Sequence, residues 1–243
     1  MKKKIVITGG LGYIGTELCK LYSGVRWHHK IVVIDNRFIS ERVNQIRNWN
    51  MKFIQGDILD KNLIYEYCKD ADVVHHLAGI TNVPRTKSET SLSHDKKIKE
   101  VGERGTQNIL DVISDKCKII FPSTHVVFEG FNKVKKNLKE DEKPKPVLMY
   151  ARSKVQNEQD IKTLSKNFVI LRLGSVYGFS GDGMRINIMP NLFSKIASQN
   201  GTINLFGGGK QIKSVVPLID VVRCMKYMEE NTNIKRETFN LVK

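Results

Sequence analysis

Six short runs rich in Ile, Val and Phe recur along the first two-thirds of the chain, each separated from the next by polar or helix-periodic sequence. They fall at 4–8, 30–35, 51–55, 72–77, 118–122 and 168–173, and helical periodicity covers 13–22, 61–68, 92–113 and 150–164. Most of the runs are apolar at successive positions, so both faces of the strand must be covered. Strands of this kind alternating with helices predict an α/β fold, a doubly wound parallel sheet with helices on either side. The 92–113 stretch carries Gly102 and Gly105, where a break is expected. From Gly174 onward glycines cluster (Gly178, Gly181, Gly183, then Gly207 to Gly209) and the signals shorten. The chain therefore reads as a sheet domain over 1–173 and a smaller irregular lobe over 174–243, partly intertwined with the first.

Composition excludes several classes. A chain of 243 residues that is 40% hydrophobic affords a sizeable core, which rules out wholesale disorder. No apolar run approaches the roughly 18 residues of a membrane helix, so no membrane partner is expected. Met1 to Lys4 followed by Ile5-Val6-Ile7 resembles the start of a signal peptide, but the apolar stretch stops at Thr8-Gly9-Gly10 and reads as a first strand. Cys19, Cys68, Cys117 and Cys224 are widely spaced with no Cys-x-x-Cys, which fits a reducing cytoplasm and predicts no metal site. The charge of +15 admits a nucleic-acid partner. The cations are scattered, however. The lysines of 133–145 are interrupted by Glu140, Asp141 and Glu142, with no basic stripe carrying aromatics. No nucleic-acid partner is expected, and the 133–145 run reads as a solvated loop or a mobile lid over a site mouth.

Gly9, Gly12 and Gly15 stand three apart, directly after the first strand and at the opening of a helix. Missing side chains let backbone approach a pyrophosphate, and the helix start offers free N–H groups to the anion. This makes the sheet Rossmann-type; without a ligand the same residues read as a tight strand–helix turn. Asp35 ends the second run 20 residues past Gly15, where a carboxylate accepts the adenosine ribose hydroxyls. It would repel a 2′-phosphate, so NAD is expected over NADP, although Arg37 two residues on weakens that preference.

Tyr150 and Lys154 are four apart, on one helix face. A phenol with a pKa of about 10 is a poor base at neutral pH, and a nearby ammonium stabilises its phenolate. The pair also fits an ordinary amphipathic surface. Ser123-Thr124 follows the fifth run, where ligands sit in a parallel sheet.

Together these signals resemble the extended short-chain dehydrogenase/reductase superfamily, and within it the NAD-dependent epimerase/dehydratase family of nucleotide-sugar enzymes. The resemblance covers essentially the whole chain. Thr8 to Gly15, with Tyr13 and Ile14, matches its glycine turn. Asp35-Asn36, Asp57-Ile58 after Gly56, and Leu77-Ala78-Gly79 after His76 resemble its cofactor-lining segments. Gly105-Thr106-Gln107-Asn108-Ile109-Leu110 matches its Gly-Thr-x-Asn helix, and Glu158 fits the acidic residue after the catalytic lysine. The resemblance implies Thr124, Tyr150 and Lys154 as catalytic, with Tyr150 taking a sugar proton, Lys154 holding the nicotinamide ribose and Thr124 bonding the reacting oxygen. It implies Ser175, Asn187 and Lys213 as contacts to a nucleotide-diphosphate sugar. The helices over 92–113 and 150–164 are those the family pairs as a dimer interface, so a homodimer is expected.

The departures are specific. Gly102 stands where the family carries Asn, Ser175 replaces the substrate-binding Asn, and Lys213 replaces an Arg. Val127-Phe128-Glu129-Gly130 replaces Val-Tyr-Gly, and Thr124-His125-Val126 is neither the Thr-Asp-Glu of 4,6-dehydratases nor the Thr-Ser-Glu of decarboxylases. His125 is expected to turn away from Thr124 and pack, and His75 and His76 to be structural. The closing run 238–243 reads as a strand ending the smaller lobe, in a chain short for the family. The expected activity is NAD-dependent epimerisation through a transient keto-sugar. The alternatives are a nucleotide-sugar ketoreductase or dehydrogenase, and a catalytically silent dinucleotide-binding regulatory protein.

Overall fold

The computed structural model describes residues 2–24, 29–81, 87–165 and 167–242; Lys243, the last residue of the expected closing run 238–243, lies outside the described residues. The strands are β1 (Lys3–Thr8), β2 (His29–Asp35), β3 (Lys52–Gln55), β4 (Val73–His76), β5 (Lys118–Thr124), β6 (Phe168–Leu173), β7 (Ser175–Tyr177), β8 (Val215–Pro217) and β9 (Glu237–Leu241). Seven of them form one sheet in the order β3-β2-β1-β4-β5-β6-β9, every pair parallel. The winding reverses between β1 and β4, which opens a crevice at the carboxyl ends of the strands.

The helices are α1 (Tyr13–Ser23), α2 (Ser40–Asn48), α3 (Lys61–Cys68), α4 (Leu92–Lys99), α5 (Gly105–Leu110), α6 (Met149–Leu164), α7 (Met189–Ser198) and α8 (Leu218–Glu230). Successive strand residues go to opposite layers, as the pleat requires. Ile5, Ile7, Val33, Ile120 and Leu171 pack with Leu18 and Tyr22 of α1, Val43 and Ile46 of α2, and Val221 and Met225 of α8. Val6, Val32, Ile34, Ile119 and Phe121 pack with Ile64 of α3, Ile109 of α5 and Ile161 of α6. Each such side chain contributes about 1.5–3 kcal/mol of burial free energy.

Glu237–Leu241 does not end the smaller lobe. It pairs with β6 from Val169↔Glu237 to Leu173↔Leu241 and becomes the last strand of the main sheet. The reason is connectivity: α8, whose buried Leu218, Val221, Val222, Met225 and Met228 follow a helical period, packs on the sheet and returns the chain parallel to β6. The region 92–113 is one helical path in which a π-turn at Glu100–Arg104 joins α4 to α5, with Gly102 inside it. β7 and β8 form a separate two-stranded parallel sheet beyond the end of β6. No helix among the described residues is long and apolar enough to cross a membrane.

Candidate active site

The glycine turn is built by close backbone contact. Gly9 and Gly10 both donate N–H to the Ile34 carbonyl, at 2.7 and 3.4 Å, which pins the turn to β2. Gly9 has φ +70°, and a Cβ there would stand 2.7 Å from the Ala78 nitrogen. A Cβ on Gly15 would overlap the Gly9 carbonyl, so α1 could not start so close to the turn. Gly12 caps α1 with no side chain, and the first N–H groups of the helix point free of any protein side-chain cap. This is the cradle a pyrophosphate fits, so the residues present suit the dinucleotide that the resemblance implies.

Asp35 ends β2 with its carboxylate buried. Oδ2 accepts the Leu11 N–H at 3.0 Å, while Oδ1 accepts the Arg37 N–H at 3.0 Å and its Nε at 3.1 Å. Asn36 donates to Asp57 Oδ2 at 3.0 Å, and Asp57 Oδ1 accepts the Leu59 N–H. The Ile58 carbonyl accepts Asn108 Nδ2 at 2.9 Å, which ties this segment to α5. Leu77 and Ala78 follow β4, their N–H groups on the carbonyl and hydroxyl of Thr8 at 3.1 and 3.2 Å; Gly79 faces open space. Ile14 packs on the core edge. The Tyr13 hydroxyl leaves the turn altogether and donates to the Gly178 carbonyl at 2.5 Å.

Lys154, one turn past Tyr150 on α6, reaches the end of β5, the strand that Thr124 closes. Lys154 Nζ donates to the Pro122 carbonyl at 2.9 Å and lies 6.0 Å from the Tyr150 ring centre. Burial pushes the Lys154 ammonium down to about 8, with Glu158 acting against the shift. Burial raises Tyr150, and the charge of Arg185 lowers it. The Thr124 hydroxyl accepts the Val126 N–H at 3.3 Å and caps a 3-10 turn at His125–Phe128. No hydrogen bond joins the Thr124 and Tyr150 hydroxyls among the described residues. Glu129 Oε1 accepts the N–H groups of Val147 and Leu148, at 3.0 and 2.9 Å, and so fixes the start of the helix that carries Tyr150.

Because the chain leaves the strand at Thr124, strand alternation does not govern His125. Its Nε2 stands 3.5 Å from the Ser175 hydroxyl, and both burial and the Lys213 charge lower its pKa. Ser175 and Lys213 are thus brought to one place, through the pairing of Ser175 with Val215. Asn187 lies in the turn that precedes α7. At Gly102 a Cβ would overlap Ser153 Oγ on α6, so Ser153 fills the room that a side chain there would need. The 133–145 loop is not a free flap. The buried Arg172 donates to the Glu140 carbonyl at 2.9 Å, and Asn240 Nδ2 donates to the Leu138 carbonyl at 2.9 Å.

Two residues escaped the sequence reading. Arg185, whose Nη2 donates to the Thr81 carbonyl at 2.8 Å, carries its charge close to both Tyr13 and Tyr150. Asn191 is buried and ties Gly178 N and the Arg185 carbonyl together, each at 3.0 Å. An Asn inside the otherwise apolar start of α7 was the available signal.

Known proteins resemble this chain over most of its length. A UDP-N-acetyl-alpha-D-glucosaminuronate decarboxylase from Bacillus cytotoxicus is 30% identical, over 96% of this chain and 73% of its own length. A UDP-glucose 4-epimerase from Mycoplasma genitalium is 25% identical, over 99% and 76%. A UDP-glucuronic acid 4-epimerase from Bacillus cereus, solved with UDP-glucuronic acid and NAD, superposes with a TM-score of 0.80 at 25% identity, covering 98% of this chain and 77% of that one. The model of one family, the NAD dependent epimerase/dehydratase family, matches residues 5–241, and the chain belongs to it.

Proposed function

We propose that the chain is an NAD-dependent nucleotide-sugar epimerase that inverts a ring carbon through a transient keto-sugar. The observation that carries this reading is the Tyr150–Lys154 pair on one face of α6, its ammonium anchored on β5 beside Thr124. The turn from Gly9 through Gly12 to Gly15 would hold the pyrophosphate, Asp35 and Asn36 the adenosine ribose, and Asp57, Ile58 and Leu77 to Gly79 the rest of the dinucleotide. NAD, when bound, supplies a hydride acceptor that returns what it takes.

This chain's residues do the remainder. Tyr150 takes the sugar hydroxyl proton and gives it back. Lys154 stabilises the phenolate at a cost lowered by proximity. The Thr124 oxygen accepts from Val126, which leaves its own proton for the reacting sugar oxygen. Ser175, Lys213 and Asn187 sit on the segment 174–243 and would contact the nucleotide-diphosphate sugar. We further assign a homodimer through α4, α5 and α6, and a cytoplasmic location that the free thiols of Cys19, Cys68, Cys117 and Cys224 support.

The Bacillus cytotoxicus relative favours a second reading, oxidation followed by loss of a sugar carboxylate. Against it stands Thr124-His125-Val126, which lacks the acidic residue of the decarboxylase pattern. The experiment is identification of co-purified nucleotides by mass spectrometry, then a nucleotide-sugar screen. Isomerised product of unchanged mass, with no net NADH, is expected. Stoichiometric NADH or released CO2 would sink the epimerase reading, and full turnover by Tyr150→Phe would sink the assigned proton carrier.

A further inference from the structure

We propose that Asn191 is a positioning residue for proton transfer, and that it holds Arg185 as a second cation beside Tyr150. The inference rests on Tyr150 being the proton carrier, as argued above, and its test needs neither a dinucleotide nor a sugar. Residues 178–191 connect β7 to the first turn of α7 and carry one 3-10 turn, at Gly181–Gly183. With so little regular structure, the backbone groups of this segment must find partners elsewhere, and side chains set its course.

Asn191 is 3% exposed, and a buried amide is kept where its bonds are made. This one makes three. Oδ1 accepts the Gly178 N–H at 3.0 Å, and Nδ2 donates to the Arg185 carbonyl at 3.0 Å and to the Tyr13 hydroxyl at 3.4 Å. The Tyr13 hydroxyl passes its own proton to the Gly178 carbonyl at 2.5 Å. One turn further along α1, Glu17 Oε1 accepts from the buried Ser180 hydroxyl at 3.1 Å. The segment is thus fixed to one amide and to the start of α1.

Arg185 is what this frame delivers. Its carbonyl accepts Asn191 Nδ2 and the Ile188 N–H, the latter at 3.3 Å, and its Nη2 donates to the Thr81 carbonyl at 2.8 Å, on the segment that follows β4. The side chain therefore reaches from the smaller lobe back to the sheet domain. From there its charge favours the Tyr150 phenolate, against the burial that disfavours it, and does the same at Tyr13. The other cation at Tyr150 is Lys154, 6.0 Å from the ring centre on the same helix. Arg185 is an exposed residue, so without these ties its guanidinium would swing into water, where its charge is screened. Asn191 acts on Tyr150 without touching it, by keeping that charge in place.

The test is the rate at which tetranitromethane nitrates Tyr150 in the full chain at about pH 8, where the phenolate is a minor form and its fraction sets the rate. Peptide mapping by mass spectrometry reads each tyrosine separately, the exposed Tyr65 and Tyr227 serve as internal controls, and thermal melting checks folding. Arg185→Gln should slow Tyr150 at least about twofold and leave the controls unchanged. Arg185→Lys, which keeps the charge, should restore part of the rate. Asn191→Leu should slow Tyr150 with Arg185 still present, and the double variant should be no slower than Arg185→Gln alone. Loosened structure by itself would expose the phenol and speed its nitration, so an unchanged or faster rate in Arg185→Gln or Asn191→Leu overturns the inference, as do losses that add in the double variant. Should Asn191→Leu fail to fold, the smaller Asn191→Ser takes its place under the same criteria. Turnover by Tyr150→Phe is a separate outcome: full activity with the slowed nitration overturns the proton-carrier reading and leaves the placement of Arg185 standing, whereas an inactive Tyr150→Phe with unslowed nitration overturns only the inference.

Discussion

The ammonium of Lys154 is held between two neighbours on one strand, donating to the Pro122 carbonyl at 2.9 Å and lying 4.2 Å from the centre of the Phe121 ring. Burial there pushes it from an ordinary 10.5 down to about 8. The charged form is the one that stabilises a Tyr150 phenolate, so kcat/KM is expected to fall as pH rises through about 8. Stability of the cofactor-free chain should move the other way. The folded value lies below the unfolded one, so between about 8 and 10.5 the unfolded chain binds more protons and the fold gains stability as pH rises. Lys154→Met should abolish that gain. A pH–rate profile flat to pH 10, or an unchanged stability slope in the variant, would show that this ammonium is not the titrating group.

Arg172 and Glu158 form an ion pair in which both side chains are 3% exposed, with Nη2 to Oε2 at 2.8 Å. Ser123 donates to the same carboxylate at 2.5 Å. Removing one partner strands a buried charge, and Arg172→Met or Glu158→Gln is expected to cost about 3–5 kcal/mol in chemical denaturation. Arg172→Met combined with Glu158→Leu should recover most of that loss, since no charge is left unpaired. Singles costing under about 1 kcal/mol, as an exposed pair would, contradict the assignment.

The sheet was legible because burial on both faces forces runs such as Ile5-Val6-Ile7 and Ile31-Val32-Val33-Ile34, each too short for a helix and closed by turn residues. The glycine turn and the Tyr150–Lys154 pair were legible because local spacing alone places them. What spacing cannot carry is long-range docking. Nothing local to Glu237–Leu241 says that its partner is β6, and the periodicity of α8 was masked by Arg223, Lys226 and Glu229 between its apolar positions. Strand alternation does not reach His125 for a related reason. Alternation holds only while a strand continues, and the Thr124 hydroxyl ends this strand by capping the next turn.

Gly102 faces Ser153 across the contact between the π-turn and α6, and a Cβ at Gly102 would overlap Ser153 Oγ. Gly102→Ala is therefore expected to lose about 1–3 kcal/mol by overpacking, and to lower kcat because Ser153 adjoins Lys154. Pairing it with Ser153→Ala removes the obstructing oxygen and should return most of both. A double-mutant cycle reads the coupling directly. Additive losses would mean that the two positions do not compete for one space.

His75 and His76 end β4 fully buried, and burial pushes each imidazole down to about 3. The Thr106 hydroxyl donates to the Gly102 carbonyl at 2.6 Å, so its oxygen accepts from His76 Nε2–H at 3.0 Å, and Thr8 donates to Nδ1 at 2.8 Å. His75 bonds the Tyr22 hydroxyl through Nε2 at 2.8 Å, and its Nδ1 has no hydrogen-bond partner among the described residues. A second proton on either ring would be a buried cation. With folded values below the unfolded value of about 6.5, the unfolded chain binds the extra protons as pH falls, and each ring withdraws stability at up to about 1.4 kcal/mol per pH unit. The unfolding free energy should therefore drop from pH 7 to pH 5, before most carboxylates titrate. His75→Gln should cut the slope by roughly a third to a half, because one of the two fully buried rings is gone while His76 and the lowered His125 still contribute. Urea denaturation across that interval decides it, and an undiminished slope in the variant would place the acid sensitivity elsewhere in the molecule.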